Sequence, residues 1–285
     1  MSSRAEHVTP ALLRAWGLPS AGESKKTRGD VIVVGGSRSS PGAALLAGEA
    51  ALRVGAGRVG LAVPGSIDAQ VGVALPEAGV FALPENADDA LDERLAGRVA
   101  KADAVLVGPG FDDPAETRAT LLAVAAARPR CVVLDAYALG VLPDIDRGLL
   151  PDAVILSPNK DEAGILLGRD DPAGDESDVR EISERFAAVV NCYGLVAAPG
   201  GGAWRVSEGG GGLGTSGSGD VLAGAIAGFA ARGAPLERAA VWGAWAHARA
   251  GARLTERVGL GFLARDLASE LTPAIRDTLS AADAS

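Results

Sequence analysis

Apolar runs alternate with polar, glycine-rich breaks along most of this chain. Asp30-Val-Ile-Val-Val34 is apolar after its first residue, and Val59–Val63, Ala104–Val107, Cys131–Leu134 and Ala153–Leu156 are of the same kind. Short runs without polar alternation predict strands buried on both faces, as in a parallel sheet. Helices are predicted within 8–19, over 45–54, 115–127 and 162–167, and, with an amphipathic pattern, over 179–190. Long apolar ones are expected over 220–231 and 236–254, and a last one near 263–278. Leu195–Ala198 and Ala203–Val206 flank Pro199-Gly-Gly-Gly202 and predict a hairpin. Segment 66–100 mixes strand and helix character without clear boundaries, and Asp170–Asp178 reads as an acidic surface loop. Strands alternating with helices predict an α/β fold, a mostly parallel sheet covered on both faces. No composition break or repeat divides the chain, so one domain over 1–285 is expected.

In such a sheet, ligands bind beyond the carboxyl ends of the strands. Special residues fall at those ends: Gly35–Ala43, Gly108–Phe111, Asp135, Pro158–Glu162 and Thr215–Asp220. The richest stretch is Gly209-Gly-Gly-Gly-Leu-Gly-Thr-Ser-Gly-Ser-Gly-Asp220, which runs straight into Val221–Ala231. Glycines let successive N–H groups converge, and a helix start adds unpaired N–H groups and the positive end of its dipole. Such a loop suits a phosphate. It is not a Walker A loop, because no Gly-Lys-Ser/Thr closes it. Asp220 would repel a phosphate, so as a binding residue it is a poor choice. It makes sense as the base that takes a proton from a hydroxyl attacking that phosphate. An ordinary first-turn acid explains it too.

Gly224 and Gly228, four residues apart, predict close helix packing behind the loop. Asn159 and Glu162 have the spacing of a capping box, and a second reading sets Glu162 near a hydrated Mg²⁺. His247 lies on an apolar helix and reads as a core residue; Trp204, Trp242 and Trp245 read as core or interface anchors. Cys131 and Cys192 are isolated and show no metal or disulfide spacing.

Charge changes the picture little. With 27 Lys and Arg against 36 Asp and Glu, the formal charge is −9, which disfavours nucleic acid and anionic membranes as partners. The first residues have no apolar signal core, and no run is long enough for a membrane span, so a cytoplasmic protein is expected.

Taken as an ordered set, these segments resemble the ADP/ATP-dependent NAD(P)H-hydrate dehydratases of the ribokinase-like superfamily. The carrying segments are Arg28–Ser37, Pro41-Gly-Ala43, Leu52–Gly57, Gly108-Pro-Gly-Phe111, Asp135–Leu139 and Thr215-Ser-Gly-Ser-Gly-Asp-Val-Leu-Ala-Gly224. The resemblance implies a single-domain ribokinase-like three-layer sandwich and a metabolite-repair activity. Hydrated NADH or NADPH would be dehydrated to the working cofactor, through phosphorylation of its hydroxyl by ADP or ATP with Mg²⁺ and loss of phosphate.

Carried over, Asp220 would be the base, and N–H groups of Ser216, Gly217, Ser218 and Gly219, after Thr215, would hold the phosphoryl group. Ala43, Gly110 and Asn159 would border the hydrated nucleotide, while Asn191 and Leu195 would contact the adenine nucleotide. A homo-oligomer, a tetramer, is implied too. Three positions depart from the family pattern. Asn159-Lys-Asp-Glu162 stands where His-Pro-Gly-Glu is usual, Asp135-Ala-Tyr137 where Asp-Ala-Asp is usual, and Asn191-Cys192 in place of a Lys-Gly pair. The first of these also fits sugar and vitamin kinases, which makes a small-molecule kinase the alternative reading. A catalytically silent nucleotide-binding protein is a third, and it leaves Asp220 without a purpose.

Overall fold

The computed structural model describes residues 4–20 and 24–280. In chain order it opens with β1 (Glu6–His7), α1 (Pro10–Trp16), β2 (Asp30–Val34), α2 (Gly42–Arg53), β3 (Arg58–Pro64), α3 (Asp68–Ala74) and β4 (Gly79–Leu83). There follow α4 (Glu93–Lys101), β5 (Ala104–Val107), α5 (Pro114–Ala126), β6 (Cys131–Leu134), α6 (Tyr137–Val141), β7 (Ala153–Leu156) and α7 (Lys160–Leu167). The last part holds α8 (Glu176–Phe186), β8 (Val189–Cys192), β9 (Leu195–Ala197), β10 (Ala203–Arg205), α9 (Ser218–Ala231), α10 (Leu236–Val258) and α11 (Ala264–Ser280).

All ten strands join one sheet, ordered β1-β10-β9-β8-β7-β6-β5-β2-β3-β4. Pairing is parallel except at β8–β9 and β9–β10, the expected hairpin and its inner neighbour. Alternation along each strand divides the apolar residues between two cores. Val31, Val33, Leu106, Val133 and Ile155 face α2, α9, α10 and α11. Ile32, Val34, Val107, Leu134 and Leu156 face α4, α5, α7 and α8. That is the three-layer arrangement, and it explains why these strands read as unbroken apolar runs.

Helix α9 packs on α2 nearly backbone to backbone. A Cβ at Gly224 would lie 2.1 Å from the Ala47 carbonyl oxygen, and one at Gly228 2.9 Å from that of Ala51. The glycine pair therefore does what its spacing predicted. Trp242 and Trp245 are buried in the first core, which removes them as interface anchors, and Trp204 meets Trp16 edge-on.

Two expectations fail locally. The amphipathic helix predicted over 179–190 stops at Phe186, where Ala187 turns left-handed at φ 45°. Val189 and Val190 belong instead to β8, whose four residues are all buried. The acidic surface loop expected over Asp170–Asp178 instead runs into α8 from Glu176, and Asp178 is buried. The poorly bounded 66–100 segment holds α3, β4 and α4, and part of the loop expected before Gly29 lies outside the described residues.

Candidate active site

The sheet starts in its middle at β2, runs out through β3 to β4, and returns to the other side of β2 at β5. Strand order reverses there, and the two adjacent loops diverge to opposite faces and open a crevice. The loop after β2 meets the loop after β5: Gly36 N–H donates to the Pro109 carbonyl at 2.7 Å. Gly110, at φ +78°, lies so close to the start of α2 that a Cβ there would be 2.8 Å from that of Ala43 and 2.6 Å from the Ser40 carbonyl oxygen. Ala43 and Gly110 thus form one wall, as expected of two residues bordering one ligand. Neither lines the larger cleft that holds Asp220. The two regions adjoin, since a Cβ on Gly217 would lie 2.5 Å from Leu46 on α2, one turn beyond Ala43.

That larger cleft encloses about 690 Å³ beyond the ends of β6, β7 and β8. Asp135, Asn159, Glu162 and Asn191 line it from the sheet side, and Thr215, Gly217, Ser218, Gly219 and Asp220 from the loop and first turn of α9. Nine predicted residues from four chain segments meet in one place. Ser216 belongs to the loop but is turned to solvent. Leu195 does not belong: it is 6% exposed and packs in the second core, on the far face of the sheet. The hairpin expected around Pro199-Gly-Gly-Gly202 is β9–β10; a separate turn, Tyr193-Gly194, joins β8 to β9, and these two residues face the cleft. Cys192 points into the second core, so the residue standing at the rim is Tyr193, 68% exposed and left-handed at φ 49°.

From Ser216 to Asp220 the glycine-rich loop and the start of α9 leave their N–H groups without an acceptor, with one exception. Ser218 N–H is taken by the Thr215 carbonyl at 3.2 Å. The N–H groups of Ser216, Gly217, Gly219 and Asp220 have no acceptor among the described residues. Gly217 caps α9 with φ 87° and no side-chain bond, which leaves the helix's N-terminal field open to a ligand.

Asp135, Glu162, Glu208 and Asp220 bring carboxyl groups to this space. Burial raises the pKa of Asp220 to about 6. Asp135 is pushed well above the ordinary range by burial first and then by the charges of Glu162 and Asp220. Glu162 is raised by burial, against the pull of the Asn159 N–H. Asn159 and Glu162 form the capping box of α7, each side chain accepting the other's backbone N–H at 2.9 Å.

One residue, His247, was undervalued. His247 on α10 lines the cleft, and its buried Nε2 lies 2.9 Å from Ser218 Oγ and 3.0 Å from the Ser218 carbonyl oxygen. The available signal was one polar side chain in the apolar stretch Ala239–Ala248. Asn191 is 1% exposed, and neither its Oδ1 nor its Nδ2 has a partner. An amide inside the apolar run Val-Val-Asn-Cys marked it.

Comparison with known proteins fits this geometry. A family model described as NAD(P)H-hydrate dehydratase matches residues 31–273. An ADP-dependent (S)-NAD(P)H-hydrate dehydratase of Xanthomonas campestris pv. campestris is 43% identical over 288 residues, 97% of this chain and 98% of the relative. Bifunctional NAD(P)H-hydrate repair enzymes are related as well, and the chain spans about half their length, 49% for that of Moorella thermoacetica. The ADP/ATP-dependent NAD(P)H-hydrate dehydratase of Bacillus subtilis, co-crystallised with ATP and Mg²⁺, superposes with a TM-score of 0.81 at 26% identity, over 96% of this chain and 99% of that one. Ribokinase of Thermotoga maritima, at 16% identity and a TM-score of 0.56 over 85% of this chain and 99% of its own, shares the fold. The architecture is ribokinase-like, and the chain belongs to the NAD(P)H-hydrate dehydratase family.

Proposed function

We propose that the protein dehydrates hydrated NADH or NADPH to the intact reduced cofactor, with ADP as its preferred phosphoryl donor. The observation that carries this reading is the buried Asp220 carboxylate at the mouth of an open anion loop. With a pKa of about 6 it is largely ionised at neutral pH, yet basic enough to accept a hydroxyl proton. The hydroxyl oxygen attacks the terminal phosphoryl group, its proton passes to Asp220, and the nucleotide leaves with one phosphate fewer. Phosphate then departs from the new ester with the electron pair of its carbon–oxygen bond, since phosphate leaves far more readily than hydroxide. Loss of a proton from the neighbouring carbon completes the double bond. Free N–H groups at Ser216, Gly217, Gly219 and Asp220 support the charge on the transferring group. The choice of ADP rests on the near full-length relative described as ADP-dependent.

In this reading Ala43 and Gly110 border the hydrated nicotinamide, Asn159 lies between the two ligands, and Asn191 and Tyr193 face the nucleotide. Leu195 is dropped. Mg²⁺ fits the site as an outer-sphere ion. Asp135 and Glu162 supply a buried acidic wall, and no group of three His, Cys, Asp or Glu among the described residues is placed to hold a metal directly. Asp135 and Glu162 would hold a hydrated Mg²⁺, which would supply positive charge against the phosphates. The kinase alternative loses its best support, since the capping box accounts for the Asn159–Glu162 pair. A cytoplasmic location and a homotetramer remain part of the proposal; no helix among the described residues is long and apolar enough to cross a membrane.

The test is stoichiometry. Incubation with hydrated NADH, Mg²⁺ and ADP should yield NADH, AMP and inorganic phosphate in equal amounts. AMP formed together with a stable phosphorylated product would instead make the protein a kinase.

A further inference from the structure

Ser218 has an unusual set of partners. Its backbone N–H is spent on the Thr215 carbonyl, so it cannot serve a phosphate as its loop neighbours can. Its side chain, 6% exposed, lines the cleft and touches one protein group, Nε2 of His247 at 2.9 Å. The same nitrogen lies 3.0 Å from the Ser218 carbonyl oxygen.

The tautomer of His247 decides what these contacts mean. A carbonyl oxygen accepts and never donates, so a bond at 3.0 Å requires a proton on Nε2. With the proton on Nδ1 instead, the Nε2 lone pair would face the carbonyl lone pairs in a buried space, an unfavourable contact. A neutral imidazole with Nε2–H donates to both Ser218 oxygens, and Oγ becomes an acceptor in that bond. The hydroxyl hydrogen of Ser218 is then free, and the open side is the cleft. Burial also keeps the ring neutral, lowering its pKa to about 4, so this state holds through the physiological range.

We propose that His247, as its Nε2–H tautomer, turns the Ser218 hydroxyl outward to donate to the transferring phosphoryl group. Ser218 is thereby a catalytic residue that compensates for its own occupied N–H, and His247 is a positioning residue acting through it. The inference rests on the dehydratase reading for the reaction that it serves, and its geometric part stands apart from that reading.

The experiment uses the whole chain and the variants Ser218→Ala, His247→Gln, His247→Leu and the double variant Ser218→Ala/His247→Leu. Removing one donor to a transition-state oxyanion lowers kcat by about 10²–10³-fold, and a bond formed mainly at that stage leaves the KM for ADP within about threefold. Ser218→Ala and His247→Leu should each show that loss, and the double variant should be no slower than either. His247→Gln keeps a donor amide near the Nε2 position and should recover most of kcat. Nitrogen-15 NMR of the imidazole in wild-type protein should show Nε2 protonated and Nδ1 bare, whether or not the substrate is correct.

Full kcat in Ser218→Ala, or losses that multiply in the double variant, would overturn the inference. So would an Nδ1–H tautomer. Should His247→Leu fail to fold, Ser218→Ala and His247→Gln still decide the matter. Wild-type protein that leaves hydrated NADH untouched would sink the dehydratase reading instead, with the tautomer measurement still judging His247.

Discussion

Replacing Asp220 by Asn should make this protein more stable while removing its activity. The carboxyl titrates at about 6 in the fold against an ordinary value of 3.8, with burial as the cause. A raised folded-state pKa means that the fold holds the proton more tightly than the unfolded chain does. Stability is therefore complete below about pH 4, falls as the group ionises, and stays at its lower value above about pH 6. A shift of roughly two units corresponds to about 3 kcal/mol of strain carried by the charged form. Against this, a carboxylate in the first turn of α9 gains up to ~1 kcal/mol from the helix dipole. The burial effect wins by about 2 kcal/mol. Asn has the same shape without the charge, so Asp220→Asn should unfold about 5 °C higher than wild type at pH 7.5. The gap should close near pH 4, where the wild-type side chain is protonated too. Thermal unfolding of both proteins from pH 4 to 8 makes the measurement. A variant no more stable at pH 7.5, or a gap independent of pH, would refute the claim that Asp220 is held charged at a cost.

Other consequences can be measured. For turnover, kcat/KM should fall as pH drops through about 6, where Asp220 takes up its proton, and Asp220→Asn should lose about 10²–10⁴-fold at all pH values. Asn191→Val removes two buried amide atoms that lack partners, so it should raise the melting temperature of the ligand-free protein and weaken nucleotide binding in calorimetry. Gly224→Ala drives a methyl group into the Ala47 carbonyl and should lower stability by about 1–3 kcal/mol or more in denaturant titrations. Asn159→Ala breaks the α7 capping box and should cost about 1 kcal/mol in the same assay.

Much of this was legible in the sequence, for particular reasons. Parallel strands buried on both faces announce themselves as apolar runs, and β2, β5, β6 and β7 appear where those runs lie. Their ends carry the site, so Asp135, Asn159, Glu162 and the 215–220 loop could be named together before any coordinates. Strand β8 could not be seen, because Val189 and Val190 continue the apolar spacing of α8, and the break is a left-handed Ala187 with no glycine to mark it. Leu195 came in through the family resemblance, and no pattern marked the β8–β9 turn that sets Tyr193 at the rim. His247 was hidden differently. A buried histidine on an alanine-rich helix is ordinarily a packing residue, and its contact with Ser218 joins positions 29 residues apart.

Asp220 is expected to drive a nucleotide-coupled dehydration of the reduced cofactor's hydrate. Absorbance at 340 nm follows it most directly, in a mixture of hydrated NADH, Mg²⁺ and wild-type or Asp220→Asn protein, with and without ADP. Absorbance should rise for wild type with ADP, stay flat without nucleotide, and rise at least ~10²-fold more slowly for the variant. A rise that needs no nucleotide, or one that keeps the wild-type rate in Asp220→Asn, would contradict that role for Asp220.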